Sequence, residues 1–326
     1  MPIKYNLGYG THLTPLNSYE LSKIENNLIN RCIMCREELS DESRTEEHIY
    51  PKWLQNRFNL WNQKIILPNG SATYYRQFTV PCCKQCNGET MSEWEKKIQY
   101  AVEKGYNEFI KLDEEIVVWW LLKIYYSKIV KESLFKENIK DPKSRKMITD
   151  EFLAKYNGIY FYMCELLKGV KFNDPKPYEL YLFQSNGTND FDYIDDISRQ
   201  VLYMQLNDIL IVCVFDSFKF FNMQYETEIK ELRKLERVYP LQAIELFIKI
   251  VYFKSHYSYK TKHSYFIDEK GVFVNTEIIN PKQINSFNLR YLHDMLIESF
   301  KMRGCQYDFP TFKDNSMISL ILKHQE

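Results

Sequence analysis

Two Cys-x-x-Cys pairs constrain this chain more than any other feature of its sequence. Cys32 and Cys35 form the first pair, and Cys83 and Cys86 form the second. A gap of two residues lets both sulfurs of a pair reach one ion at about 2.3 Å, and two such pairs complete a tetrahedral zinc site. The sequence therefore predicts a structural zinc that joins two segments far apart along the chain.

Cys82 offers a competing register, because it also lies shortly before Cys86. The two-residue gap favours Cys83 as the ligand and leaves Cys82 as a neighbouring thiol. Reduced thiols that cluster without a metal are the alternative. The other three cysteines lie far apart and are interpreted as ordinary buried or free thiols: Cys164, Cys213 and Cys305.

Composition limits the class of protein. The 326 residues are 45% apolar, enough for a sizeable core and for two domains. Formal net charge is zero, so a nucleic-acid partner would have to meet a local basic patch. The N-terminus lacks a signal-peptide pattern, and no apolar run reaches the roughly 18 to 20 residues that span a bilayer. We expect a cytoplasmic protein with no membrane partner, in which cysteines bind metal rather than form disulfides.

Hydrophobic periodicity and turn residues predict mixed secondary structure. Helices are predicted at 17–31, 113–135, 147–168 and 288–304, and strands at 64–67, 72–80, 178–184, 199–206 and 208–221. Ser92 and Glu95 have the spacing of a capping box that opens a helix just after Cys86. The chain is thus predicted to be α+β, with a small domain at 1–110 and a larger α+β domain at 111–326.

The segment between the two cysteine pairs contains Glu47-His48-Ile49-Tyr50-Pro51, and the final cysteine is followed by Asn87. The order Cys-x-x-Cys, Glu-His-Ile-x-Pro, hairpin, Cys-x-x-Cys-Asn resembles the HNH endonucleases, the zinc-stapled branch of the ββα-metal or treble-clef nucleases. The resembling stretch runs from about Cys32 to Glu95. It implies a small zinc-bound ββα-metal domain ahead of the larger domain.

The resemblance also implies roles for individual residues. His48 would be the general base that activates water, while Glu47 and Asn87 would hold a catalytic Mg²⁺ or Mn²⁺ separate from the zinc. The chemistry suits these residue types, because an imidazole titrates near neutral pH and hard divalent ions prefer oxygen ligands. The alternatives are a structural histidine for His48, a solvated charge for Glu47 and a turn residue for Asn87.

The chain departs from the family at the middle Asn, which usually orients the histidine. Phe78 stands at the expected position, and Gln77 and Asn69 are the nearby candidates to replace it. Glu95 is assigned to the capping box, with the metal site as its alternative, and Trp53 is assigned to the core rather than to base stacking. Basic residues around the motif are candidates for phosphate contacts: Lys52, Arg57, Arg76 and Lys84.

These observations predict a metal-dependent HNH-type endonuclease that hydrolyses phosphodiester bonds, with DNA favoured over RNA as the substrate. The larger domain would recognise a DNA feature, a nucleotide signal or a partner protein, or would serve in regulation or in forming a homo-oligomer. Fusion of an HNH module to such a domain is similar to bacterial restriction and anti-phage defence enzymes. Two alternatives stay open: a non-catalytic treble-clef module that binds nucleic acid or protein, and an RNA-cutting toxin with the same site.

Overall fold

The computed structural model describes residues 30–138, 140–141, 143–186, 190–268, 271–303 and 319–321. The chain divides into two compact units. The first consists of Met1–Lys104, Lys111–Lys171 and Tyr265–Val274, and the second of Gly105–Ile110, Phe172–Ser264 and Asn275–Glu326. Both units mix helices and strands within the described residues, so the predicted α+β class is confirmed. The helix predicted at 17–31 lies almost entirely outside the described residues.

The elements of the first half follow one another in short segments. They are β1 Arg44–His48, α1 Lys52–Arg57, β2 Lys64–Ile66, β3 Ala72–Tyr74, β4 Thr79–Cys83, α2 Met91–Lys104, α3 Tyr106–Phe109, α4 Glu114–Ser133, α5 Asp150–Ala154, α6 Asn157–Leu167 and β5 Lys171–Phe172. A 3₁₀ turn spans Tyr75–Gln77, and a π-helical turn spans Cys86–Thr90.

The β1–β4 pair positions the site of the first unit. The two strands are antiparallel, with Arg44 opposite Cys83 and His48 opposite Thr79. One end of the pair therefore carries the second cysteine pair and the other end carries the histidine. The backbone N–H of Ile33 donates to the carbonyl of Pro81 at 2.9 Å, which attaches the first cysteine pair to the same strand.

The hairpin predicted between the cysteine pairs is confirmed in part. Strands β2 and β3 pair antiparallel, and Gly70 in their turn has φ +77, a left-handed conformation that glycine adopts at little cost. The predicted strand 72–80 is instead two strands divided by the 3₁₀ turn. The division has a topological reason, because β3 pairs with β2 whereas β4 pairs with β1.

The long apolar helix predicted at 113–135 is confirmed as α4, whose acidic first turn suits the positive end of the helix dipole. It packs against α2, α6 and β4, and nearly all of its residues are buried. The predicted boundary at residue 110 therefore does not coincide with the observed division, because α4 completes the core of the first unit. Among the described residues, no helix is long and apolar enough to cross a membrane.

The second unit is built on a four-stranded antiparallel sheet with the order β6-β9-β8-β7. The elements of the second half of the chain are β6 Tyr178–Gln184, β7 Phe191–Asp196, β8 Val201–Leu206, β9 Ile209–Phe215, α7 Phe220–Gln224, α8 Glu226–Lys234, α9 Pro240–Lys254, β10 Tyr257–Asp268, β11 Gly271–Gln283 and α10 Leu289–Met302. Helix α9 packs against β8, β9 and α10 around the main hydrophobic core of this unit.

Three strands of this sheet lie within the segments that β-branched and aromatic residues predict, but the strand predicted at 208–221 ends at Phe215, and Phe220 and Phe221 begin α7. Strand β7 is not predicted, because each of its residues is only half-buried and its acidic side chains weaken the strand pattern. The β10–β11 hairpin is also not predicted from the sequence. In the described structure, these strands join β5 in a three-stranded sheet with the order β10-β11-β5.

Candidate active site and metal centre

Four cysteine sulfurs converge in the first unit. The Sγ atoms of Cys32, Cys35, Cys83 and Cys86 all lie within 4.8 Å of one another. Zinc at about 2.3 Å from each sulfur of a tetrahedron would separate the sulfurs by roughly 3.8 Å. The Cys35 and Cys83 sulfurs are 3.8 Å apart, so the donor set fits a zinc ion and the predicted four-cysteine cluster is confirmed.

Local backbone geometry shapes both cysteine pairs. In the first, the N–H of Arg36 donates to the carbonyl of Cys32 at 3.0 Å, and Arg36 has φ 63, in the left-handed region. In the second, the N–H of Cys86 donates to the Sγ of Cys83 at 3.4 Å. An N–H group aimed at a sulfur favours the thiolate, which is the form that binds metal.

The thiols of the cluster interact strongly, and the hydrogen bonds to Cys32 raise the pKa of Cys35 and of Cys86. Hydrogen bonds from the thiols of Cys35, Cys82 and Cys86 lower the pKa of Cys32 and outweigh the opposing effect of burial. Cys82 is close, with its sulfur 3.7 Å from that of Cys32, but it stands outside the group of four mutually close sulfurs. The cysteine geometry therefore supports the predicted register, with Cys83 as the ligand and Cys82 as its neighbour.

Glu47 takes part in a buried ion-pair network. Its carboxylate accepts a very short hydrogen bond from the ammonium of Lys123, which is 1% exposed and lies in the middle of α4. The same ammonium donates to Glu95 at 2.5 Å and lies 3.4 Å from the backbone carbonyl of His48. Strand β1 and helices α2 and α4 thus meet at one cation held between two carboxylates.

Sequence reasoning does not identify Lys123, although one signal points to it. Lys123 is the single charged residue in the apolar stretch from Ile116 to Ser127. A buried lysine needs partners, because an isolated charge in an apolar core is very costly. Burial lowers the pKa of Lys123, but the nearby carboxylates of Glu47 and Glu95 raise it more, so the ammonium stays charged.

Glu95 does not close the predicted capping box. Ser92 Oγ donates to the carbonyl of Gly88 at 2.6 Å, and the carboxylate of Glu95 is bound to Lys123. The prediction is wrong because the π-helical turn at Cys86–Thr90 leads straight into α2, so Ser92 lies inside the helix rather than at its start.

Asn87 lies next to the face of β1 that carries Glu47. Its side-chain amide nitrogen donates to Thr45 Oγ1 at 3.0 Å, and Thr45 donates in turn to the carbonyl of Cys82 at 2.9 Å. Residues two apart on a strand point to the same side, so Thr45 and Glu47 share a face. The predicted pair Glu47 and Asn87 therefore belongs to one side of the strand.

His48 lies at the end of β1 and points to the opposite side from Glu47, as neighbouring residues in a strand do. Its half-buried imidazole stacks on Trp61, with ring centroids 6.0 Å apart and an interplanar angle of 22°. The backbone of Arg76 also interacts with the imidazole, as do Lys123 and Glu95, the partners of Glu47. The structure thus places His48 against Trp61, and groups Glu47 with Lys123 and Glu95.

Burial is the largest influence on His48 and lowers its pKa below the ordinary value. The positive charges of Lys52 and Lys123 lower it further, while the backbone of Arg76 acts in the opposite direction. His48 is consequently mainly neutral at pH 7.

The position predicted for the middle Asn is part of the core. Phe78 is fully buried and stacks on Tyr50 with ring centroids 6.4 Å apart. Asn69, one candidate replacement, hydrogen-bonds to Lys136 O and to Ser71 within its turn. Gln77, the other candidate, is exposed. Neither residue has a described hydrogen bond to His48.

The basic candidates differ in their surroundings. Lys52, Arg57 and Lys84 are exposed, as a phosphate contact requires. Arg76 is half-buried, and its guanidinium donates to the carbonyl of Trp61 at 3.1 Å. Trp53, which was assigned to the core, stacks on buried Trp120 with ring centroids 6.0 Å apart.

No protein-family model, curated protein or solved structure matches this chain. The basis for its chemistry is therefore the geometry of the four-cysteine cluster, the Glu47–Lys123–Glu95 network and the His48 ring.

The cysteine register is tested by comparing Cys83→Ser with Cys82→Ser. We expect the first variant to lose its zinc and the second to keep it, because Cys83, unlike Cys82, belongs to the group of four sulfurs. Zinc per chain, measured by atomic emission on purified protein, checks this. Loss of zinc in Cys82→Ser with retention in Cys83→Ser would show that the other register is used.

The ion-pair network is tested by Lys123→Met, which leaves two buried or half-buried carboxylates without their cation. We expect a loss of about 3–5 kcal/mol in the free energy of unfolding, as is typical when one partner of a buried pair is removed. Lys97→Met is the control, since Lys97 pairs with Glu93 at the surface and should change stability by less than about 1 kcal/mol. Denaturant unfolding measures both, and equal losses would contradict the assignment.

Proposed function

We propose that the first unit is a metal-dependent HNH-type endonuclease that hydrolyses phosphodiester bonds, with DNA as the favoured substrate. The observation that carries the proposal is the placement of His48. It stands at the end of a strand pair whose other end carries the second cysteine pair, and its ring stacks on Trp61. This is an arrangement that a general base requires.

We propose that the ring N–H of the neutral imidazole faces the Arg76 backbone carbonyl. The ring nitrogen that faces the carbonyl must carry hydrogen, and a neutral imidazole has only one N–H. The other ring nitrogen is therefore an acceptor and can take a proton from water. A pKa below the ordinary histidine value keeps this nitrogen unprotonated at pH 7.

Glu47 and Asn87 are the groups proposed to hold the catalytic divalent ion, since a carboxylate and an amide oxygen suit Mg²⁺ or Mn²⁺. Asn87 uses its amide nitrogen to bind Thr45, which fixes the orientation of its oxygen. When bound, such an ion would stabilise negative charge on the scissile phosphate and on the leaving oxygen. The four cysteines are proposed to hold only the structural zinc.

The nucleic-acid partner is proposed to approach the side of the unit where Lys52 lies. Lys52 is exposed and acts electrostatically on His48, so a phosphate near the imidazole would also meet a positive charge. Arg57 lies on the same short helix α1 and is exposed as well. Contacts of this kind position the backbone of a nucleic acid without reading its sequence.

A second candidate function is a non-catalytic zinc module that binds nucleic acid or protein. The observation that favours it is the ammonium of Lys123, which already neutralises Glu47 and Glu95. A divalent ion at Glu47 would have to share that carboxylate with a buried cation. In this alternative, the network is purely structural and His48 has no water to activate.

Cleavage assays decide between the two functions. Supercoiled DNA, single-stranded DNA and RNA should be offered with Mg²⁺ or Mn²⁺ to the wild-type protein and to His48→Ala. We expect the wild-type protein to cleave its substrate and the variant to cleave it at least roughly 100-fold more slowly, because general-base catalysis contributes about 10²–10⁴-fold. His293→Ala, in α10 of the second unit, is the matched control and should cut like the wild-type protein.

Equal cleavage by the wild-type protein and His48→Ala would exclude the proposed base. Binding of DNA by zinc-loaded protein without cutting under any divalent metal would establish the second candidate. Cleavage confined to RNA would assign the same chemistry to a different substrate.

A further inference from the structure

The first unit contains a closed loop of contacts around His48 that its resemblance to HNH enzymes does not include. The indole of Trp61 stacks against one face of the imidazole at 6.0 Å and 22°. The backbone of Arg76 interacts with the same ring. The stacking contact restricts displacement of the ring from its place.

Arg76 also fixes the segment that carries Trp61. Its guanidinium Nη1 donates to the Trp61 carbonyl at 3.1 Å and to Asn62 Oδ1 at 2.5 Å, and its charged carbon lies 4.2 Å from the centre of the Tyr74 ring. The side chain of Arg76 thus holds the segment that carries Trp61, while its backbone interacts with His48. The two groups that contact the imidazole are therefore positioned relative to each other.

Phe78, at the expected position of the middle Asn, and Asn69, a candidate to replace that Asn, have no described contact with the His48 ring. Phe78 faces the core, and the side chain of Asn69 is engaged in its own turn. A general base without an orienting partner would sample ring flips, and each flip would exchange the protonated and unprotonated nitrogens. Loss of alignment by about 1 Å can lower a rate on the order of 100-fold.

We propose that Trp61, anchored by the guanidinium of Arg76, is the positioning residue for His48 and takes the role that a middle Asn has in HNH enzymes. This inference rests on the proposed function for its catalytic meaning. The arrangement uses stacking in place of an amide hydrogen bond, so an aromatic ring is required at position 61. Phenylalanine should serve there, whereas alanine should not.

Two readouts test the proposal on the full-length, zinc-loaded protein. The first is NMR of the imidazole nitrogens, with the His48 signals assigned by their absence in His48→Ala. The wild-type protein and Trp61→Phe are expected to show one dominant tautomer, and Trp61→Ala is expected to show exchange between tautomers. Arg76→Met should give the same exchange, since it releases the Trp61 backbone while leaving the Arg76 carbonyl in place.

The second readout is steady-state cleavage of the substrate that the wild-type protein cuts. Trp61→Ala should lower kcat on the order of 100-fold with little change in KM, and Trp61→Phe should recover most of the loss. Trp53→Phe is the control, because Trp53 stacks on Trp120 in the core and should leave the tautomer and kcat unchanged. Zinc content confirms that each variant is folded.

The outcomes separate this inference from the proposed function. If Trp61→Ala keeps a single His48 tautomer, or if Trp61→Phe behaves like Trp61→Ala, the positioning role is overturned. If the wild-type protein cuts no substrate while Trp61→Ala still frees the imidazole, the proposed nuclease fails and the role of Trp61 in holding His48 stands. If Trp61→Ala loses its zinc, the His48 tautomer and the kcat of Trp61→Phe and Arg76→Met, compared with those of the wild-type protein, decide whether Trp61 positions His48.

Discussion

The first unit depends on one constraint, the convergence of two cysteine pairs that lie far apart in the sequence. Cys83 ends β4, and the first pair is attached to the same strand through Ile33 and Pro81. A zinc ion there would fix where β4 begins and ends, and β4 in turn sets the register of β1. The metal centre and the histidine are thus two ends of the same two-stranded ribbon, and neither contacts the other.

The network around Lys123 ties this ribbon to the helical core. An ammonium that is almost fully buried is tolerable only because carboxylates from β1 and α2 surround it. The network helps to explain why α4 lies in the same unit as the cysteine cluster. It also complicates the assignment of Glu47, because the carboxylate that would hold a divalent ion in an HNH enzyme is bound to a lysine here.

Local sequence patterns were sufficient for several elements. The length and apolar character of α4, the hairpin at Gly70 and three strands of the main sheet follow from periodicity and turn residues. Local patterns did not predict β7, which is polar. They also did not predict the 3₁₀ turn that divides β3 from β4, where the chain leaves the strand pair with β2 and enters the strand pair with β1. For the site, spacing identified the zinc ligands, while the contacts of His48 with Trp61 and of Glu47 with Lys123 join residues that no local pattern relates.

The sequence by itself identified the four cysteines that cluster, because a two-residue gap lets both sulfurs of a pair reach one ion. It also placed a glutamate and a histidine next to each other between those pairs. Only the tertiary structure decided which side of the strand each one faces and what it meets there. Alternation along β1 sends Glu47 toward Lys123 and His48 toward Trp61, and those partners come from α4 and from the segment ahead of β2, which reach β1 only when the chain is folded.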